Sequence, residues 1–264
     1  MGKIIAVTNQ KGGVAKTTSS YNLATIAARK GNKTLLVDFD SQASLTVAMG
    51  YNELDFTTNI ATLMDNYIAK PKHKIPIIEC IYESDIENLY FIPSSIDLAI
   101  KEAQINGILS QETILKRILK DAVDDFDYIF IDTLPSLGNL TINAMSAADY
   151  ILVPTEADYL AYKAINSLMD AIGTIQEHIN PKLKVLGVFI TKYEPTNVAK
   201  EVMEAYKEKY TFLGTVQKSV EISDSIKKGQ PIVEVKKLNK PGKSIVDSYN
   251  SIFELLSKTI EEDR

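Results

Sequence analysis

Lys3-Ile4-Ile5-Ala6-Val7-Thr8-Asn9, continued by Gln10-Lys11-Gly12-Gly13-Val14-Ala15-Lys16-Thr17-Thr18, is the stretch that decides the fold. Its first half is a short apolar strand. Its second half has the composition of a loop that wraps phosphate. Ser19 to Lys30 then carries Leu23, Ile26 and Ala27 on one helical face. Strand, glycine-containing turn, Lys-Thr pair and helix form the context in which a phosphate loop is credible. Gly12 and Gly13 allow a tight turn that brings backbone N–H groups onto phosphate oxygens. The helix N-terminus adds its positive field. Lys16 is placed to reach the β- and γ-phosphates of a nucleotide, and the Thr17 hydroxyl to hold Mg²⁺. The loop departs from the usual pattern twice. Lys11 stands where a first Gly is usual, and Ala15 where a last one is. The backbone at Ala15 is therefore expected in a conformation open to non-glycine residues.

Outward from the loop, Lys33 to Phe39 is an unalternating apolar run, the pattern of a parallel strand covered on both faces. It ends in Asp38-Phe39-Asp40-Ser41-Gln42. Carboxylates at the C-terminal end of such a strand face the ligand crevice of an α/β sheet. Asp38 and Asp40 are two apart, so the spacing allows one to point inward while the other faces the phosphates and their metal, with Asp40 the candidate for the latter. Capping of the following helix by Asp40 or Ser41 explains one polar residue but not the cluster. A second apolar strand, Asp127 to Asp132, also ends in a carboxylate. Paired with the phosphate loop it reads as a Walker B element, with Asp132 serving the Mg²⁺. Thr133-Leu134-Pro135-Ser136-Leu137-Gly138 follows as a mobile switch.

The rest of the chain alternates strands and helices. Strands are expected at Tyr150–Pro154 and Leu183–Thr191, with a short remnant at Phe212-Leu213-Gly214. Amphipathic helices are expected at Gln111–Val123, Val198–Tyr210 and Gly242–Ile260. Residues 50–110 are less informative: a helix over Thr58–Tyr67 and a short strand over Asn88–Pro93 are the readable pieces. This rhythm predicts one α/β domain over residues 1–264, with a mostly parallel sheet flanked by helices on both faces.

Composition narrows the function. With 264 residues, 45% of them apolar, the chain can bury a large single core. A net charge of −5 gives no global field that recruits nucleic acid. The charge is uneven, at −7 over residues 1–183 and +2 over residues 184–264. The single Cys80 excludes an intramolecular disulfide or a multi-cysteine metal site, and reads as a small buried hydrophobe. His73 and His178 show no ligand-like pattern. The initial apolar run leads straight into the phosphate loop, and no run approaches 18 apolar residues, so a cytoplasmic protein is expected.

Four stretches carry a resemblance: Lys11–Thr18, Leu35–Thr46 (LLVDFDSQASLT), Tyr128–Gly138 (YIFIDTLPSLG), and Gly187–Tyr193 with Gly214–Ile232. Together they make the chain similar to the ParA, or Soj-like, partition ATPases of the deviant Walker A group that includes MinD. The resemblance implies a single P-loop NTPase domain that binds ATP and Mg²⁺. Lys11 would be the signature lysine that reaches phosphates held by the other subunit of a nucleotide-sandwich homodimer. Gly12, Gly13, Val14, Ala15, Lys16, Thr17 and Thr18 would cradle the nucleotide. Thr17, Asp40 and Asp132 would serve the metal, and Asp40 would also orient the attacking water. The ATP-bound dimer would bind double-stranded DNA non-specifically and associate with the nucleoid. A ParB-like adaptor would stimulate slow hydrolysis and release it, moving plasmids or chromosomal origins.

Some positions depart from that family. Thr133-Leu134-Pro135 replaces a more usual Thr-Pro-Pro. Because the phosphate loop starts at once, no N-terminal helix-turn-helix domain is expected. The segment Thr191–Thr196 lacks an arginine common there, and Glu221 stands where DNA-binding relatives often carry Arg. A carboxylate there would repel phosphate. Lys218, Lys227, Lys228, Lys236, Lys237, Lys240 and Lys243 compensate, leaving residues 216–243 at +4; these are the DNA-binding candidates. A MinD-like membrane cycle would need a basic amphipathic C-terminal helix, whereas this chain ends in Glu261-Glu262-Asp263-Arg264. An iron–sulfur reductase of the same group would need paired cysteines. The remaining alternative is a ParA-like ATPase that positions a protein cargo or another cellular assembly.

Overall fold

Alternation along the central strands places successive side chains on opposite sides of one sheet, and each side has its own apolar layer. In the computed structural model, which describes residues 2–263, Ile4 and Ala6 belong to one buried cluster and Ile5 and Val7 to the other. Leu35 and Val37 are likewise separated from Leu36, and Ile129 and Ile131 from Phe130. This is the two-residue period of a strand buried on both faces.

The elements run β1 (Lys3–Val7), α1 (Lys16–Arg29), β2 (Thr34–Phe39), α2 (Ser44–Ala48), α3 (Ile60–Ile68), β3 (Tyr82–Glu83), β4 (Leu89–Ile92), α4 (Asp97–Gln104) and α5 (Ile114–Leu119). They continue with β5 (Tyr128–Thr133), α6 (Asn139–Ala147), β6 (Tyr150–Thr155), α7 (Tyr159–His178), β7 (Lys184–Tyr193), α8 (Asn197–Lys209), β8 (Phe212–Gln217), α9 (Val220–Lys227) and α10 (Lys240–Glu262). The sheet order is β3-β4-β2-β5-β1-β6-β7-β8. Every pairing is parallel except that of the two-residue β3 with β4. The first strand lies in the middle, between β5 and β6, so the chain winds outward from it in both directions. The C-terminal ends beside β1 are therefore a topological switch point, where an α/β sheet opens a crevice.

Helices α1 and α10 cover one face, through Leu23, Ile26, Ile245, Phe253 and Leu256. Helices α3, α5, α6 and α7 cover the other, through Met64, Leu115, Leu140 and Ile165. The predicted α/β domain is thus present, with one sheet and helices on both faces. Two elements differ from expectation. The expected helix over Gln111–Val123 is regular only in α5, between a 3₁₀ turn and a turn-rich exit. The expected remnant at Phe212 is a six-residue strand, β8, paired with β7. Gly214 carries a φ of +133° inside it, so the glycine that read as a stop is accommodated within the strand.

Candidate nucleotide site at the switch point

The loop between β1 and α1 is held at the mouth of the crevice by the strands around it. Asn9 Nδ2 donates to the Pro154 carbonyl on β6 at 2.9 Å, and Asn9 Oδ1 accepts from Lys11 N at 3.0 Å. Gln10 Nε2 donates to the Ala164 carbonyl on α7 at 2.7 Å. Thr191 Oγ1, on β7, donates to the Val14 carbonyl at 3.1 Å. Only Gly13 of the two glycines has a positive φ, +76°. At Gly12 an added Cβ would meet nothing closer than Pro135 Cβ at 3.9 Å. Gly13 therefore makes the turn, and Gly12 leaves the outer face of the loop open. Ala15 sits in the left-handed region, at φ 60° and ψ 35°, as the N-cap of α1. That conformation is open to alanine only with strain. Ala15 provides no side-chain cap, so no side chain occupies the amide donors at this helix N-terminus.

Lys16 begins α1 and is almost completely buried. Its ammonium points back across the loop toward the Lys11 carbonyl at 3.4 Å. Burial lowers its pKa, and the nearby charges of Asp132 and Asp40 only partly oppose this. Asp132, at the end of β5, lies opposite Val7 of β1 and Asp38 of β2 in the parallel register. Thr17 Oγ1 donates to Asp132 Oδ2 at 2.7 Å and Ser20 Oγ to Asp132 Oδ1 at 3.0 Å. Burial pushes the Asp132 carboxyl up to about 7, against those two hydrogen bonds and Lys16. A cation at this position would hold it ionised. Asp40 is buried at the end of β2 and accepts from Gln42 N at 2.9 Å.

Asp38 does not reach the crevice. It is buried in β2 and its Oδ2 accepts from both Thr46 N and Thr46 Oγ1 at 2.8 Å. The residue that holds the first turn of α2 is therefore Asp38, reaching over from the strand, rather than Asp40 or Ser41. Desolvation, with the Asp132 charge behind it, pushes the Asp38 carboxyl up to about 8.

Gly13, Lys16, Thr17, Asp40, Lys192 and Gln217 are among the residues that line one cavity of about 600 Å³. That volume suits a nucleotide-sized ligand. Thr17 and Asp40 line the cavity, and Asp132 lies buried behind the Thr17 hydroxyl; oxygen donors of this kind are what a hard cation such as Mg²⁺ prefers. The described residues contain no cluster of three His, Cys, Asp or Glu side chains that could bind a metal unaided. A cation here would draw its remaining ligands from phosphate and water.

Lys11 is not in the cavity. Its ammonium lies 2.7 Å from Glu156 Oε2 and 2.6 Å from Asp158 Oδ2, just past the end of β6. Lys192, at a φ of +50°, reaches Glu156 Oε1 at 3.1 Å. The sequence reading did not single out Glu156, Asp158 or Lys192. The available signal was their position: each lies at or just beyond the C-terminal end of a strand, as Asp40 and Asp132 do.

The seven lysines between residues 218 and 243 are all exposed, on β8's exit, α9 and the approach to α10. Lys218 pairs with Glu194 at 3.0 Å and Lys227 approaches Asp224 at 3.8 Å. Glu221 reaches the first turn of α10, which carries Lys240 and Lys243. Its Oε1 accepts from Asn239 N at 3.1 Å, beside the α10 N-terminus, whose field favours an anion. No helix among the described residues is long and apolar enough to cross a membrane. His73 and His178 are exposed, and Cys80 is buried with its thiol pushed up to about 11 by desolvation.

Residues 2–185 match the family described as AAA domain. The chain is 35% identical to the sporulation initiation inhibitor protein Soj of Bacillus subtilis, over 88% of this chain and 91% of that protein. A plasmid partition protein of Borrelia burgdorferi, solved with AMPPNP, superposes with a TM-score of 0.82 at 29% identity, covering 98% of this chain and 100% of that one. Cobyrinic acid a,c-diamide synthase of Mycobacterium smegmatis, solved with ADP and magnesium, gives 0.83 at 26% identity, covering 100% and 97%.

Proposed function

Since the chain belongs to the Soj/ParA-like P-loop ATPases, we propose that it is an ATP-dependent DNA-partition switch. ATP with Mg²⁺ closes a sandwich homodimer, the dimer binds double-stranded DNA without sequence preference, and hydrolysis stimulated by a ParB-like adaptor reopens it. The observation that carries this reading is that Lys16, Thr17 and Asp40 line one cavity beneath the loop, with Asp132 bonded to Thr17 behind it.

Residue roles follow from chemistry and position. Lys16 and the loop amides take the phosphates. Thr17 and Asp132 would hold Mg²⁺, with Asp40 beside them, and the ion would supply positive charge to the phosphates. Asp40 orients the attacking water. Lys11 adds positive charge to the transferred phosphoryl group of the partner subunit, so full stabilisation exists only in the dimer. Loss of the γ-phosphate removes the contacts that order the closed state. Slow unstimulated turnover is the expected behaviour of such a switch.

DNA binding rests on the +4 charge of residues 216–243, which two subunits would double. The test is binding to a random-sequence duplex with no nucleotide, ADP or ATP, for wild type and Lys16→Ala. The expected result is salt-sensitive binding with ATP alone, absent in the variant. ATP-dependent dimerisation without DNA binding would overturn the segregation reading and favour a protein cargo.

A further inference from the structure

Lys11 is tied to its own subunit at three levels. Its backbone is fixed through Asn9, which also bonds the Pro154 carbonyl on β6. Its neighbour Gln10 bonds the Ala164 carbonyl on α7. Its ammonium is shared by two carboxylates on the intervening segment, Glu156 at 2.7 Å and Asp158 at 2.6 Å. Those carboxylates are themselves anchored. Asp158 Oδ1 accepts from Ala161 N at 2.9 Å and caps α7, which leaves Oδ2 for the lysine. Glu156 gives its second oxygen to Lys192. Burial alone would lower the Lys11 pKa, but hydrogen bonds to Asp158 and Glu156 reverse this and raise it.

We propose that Glu156 and Asp158 are positioning residues that hold Lys11 within the open subunit and so set the ATP concentration at which the dimer closes. The proposal rests on the sandwich-dimer reading above. A single ammonium cannot stay on this carboxylate pair and also reach a phosphate across an interface. Closure must exchange two carboxylates for phosphate oxygens, and the strength of the first pairing opposes it. Asp158 is partly solvated, with its side chain 42% exposed. The opposition is therefore modest and tunable rather than prohibitive.

The variant Glu156→Gln/Asp158→Asn removes both charges while keeping hydrogen-bonding side chains. Asparagine is a strong N-cap, so α7 keeps its start. Asp158→Asn alone separates the two lysines, because Lys192 touches only Glu156. Two readouts are needed. In the first, nucleotide-free protein is treated briefly with an amine-reactive reagent and modification at Lys11 is quantified by mass spectrometry. The double variant is expected to label several-fold faster at Lys11 than wild type, and Asp158→Asn by less. In the second, dimerisation is followed by light scattering across an ATP–Mg²⁺ titration. The double variant is expected to close at roughly three- to tenfold lower ATP. Unchanged Lys11 labelling, or closure at equal or higher ATP in a variant that melts as wild type does, would overturn the proposal. If wild type stays monomeric at saturating ATP, the sandwich-dimer reading fails; the labelling arm then decides alone whether the carboxylates hold Lys11.

Discussion

The crevice beside β1 and the lysine-rich segment from Lys218 to Lys243 both concentrate ionisable side chains, handled in opposite ways. At the crevice Lys16, Asp40 and Asp132 are buried, with Asp38 buried behind them, and Asp132 meets Thr17 and Ser20 across more than a hundred residues of sequence. In the lysine segment every lysine is exposed, and the ion pairs of Lys218 with Glu194 and Lys227 with Asp224 are solvated on both sides. A buried charge is costly unless its surroundings are organised for it. The crevice is therefore a place where the fold itself organises buried polar groups. The lysine segment is a field, whose effect appears only beside another polyanion.

The contrast breaks most visibly at Lys16. Lys16→Ala should weaken ATP binding about 100-fold or more, since a desolvated cation facing phosphate has no substitute in the loop. Titration calorimetry measures this. A loss of less than tenfold would mean that the loop amides alone carry the nucleotide, and the site would then resemble the diffuse surface more than a built one.

Buried acids should also leave a signature in stability. Asp38 and Asp132 are raised from 3.8 to about 8 and about 7. Between pH 5 and 8 the folded chain thus holds protons that the unfolded chain has released. Stability of the nucleotide-free protein is therefore highest at the low end of this window and falls as pH rises through those values, by on the order of 1.4 kcal/mol per pH unit for each retained proton. Urea unfolding at pH 5, 6.5 and 8 measures the slope. Asp38→Asn, which keeps an acceptor for Thr46, should remove about half of it. A flat or rising profile in wild type would show both carboxyls ionised in the fold.

On the surface the expected effects are graded. Lys237→Ala should leave ATP affinity and stability unchanged while reducing the salt slope of DNA binding by about one. Fluorescence anisotropy across a salt series reads the slope. A complete loss of DNA binding from this one change would sharpen the comparison in an unexpected direction, by making the lysine segment a specific site.

The same contrast explains what the sequence made legible. β1, the loop and α1 are contiguous, so their chemistry can be read from spacing alone. The ends of β2 and β5 are legible because an apolar run that stops at an aspartate marks where a parallel sheet opens. Lys11 and its carboxylates are 145 and 147 positions apart, and no local pattern announces a pair of that separation. Residues 50–110 were opaque for a related reason. Tyr51, Phe56, Tyr82 and Phe91 pack ring on ring at the β3–β4 edge, with centroids 4.7 to 6.0 Å apart. Such a cluster is assembled by tertiary contact rather than by periodicity. Glu221 shows a third limit: its residue type was visible, but its direction, toward Asn239, was not.

Ala15 offers the finest test of how the built site is maintained. Its left-handed backbone costs about 1–2 kcal/mol relative to a helical one. Glycine would relieve that strain but loses about 0.5–1 kcal/mol to the greater freedom of the unfolded chain. Ala15→Gly should therefore stabilise the protein by only about 0.5–1 kcal/mol, which thermal unfolding can resolve. Neither residue caps α1, so amide donors remain available to phosphate and ATP affinity should hold. Ala15→Ser separates the two roles. Its hydroxyl could accept from an amide in the first turn, stabilising the empty helix while competing with the nucleotide. Weaker ATP binding in the serine variant, with none in the glycine variant, would show that the loop tolerates strain at residue 15 in return for open donors.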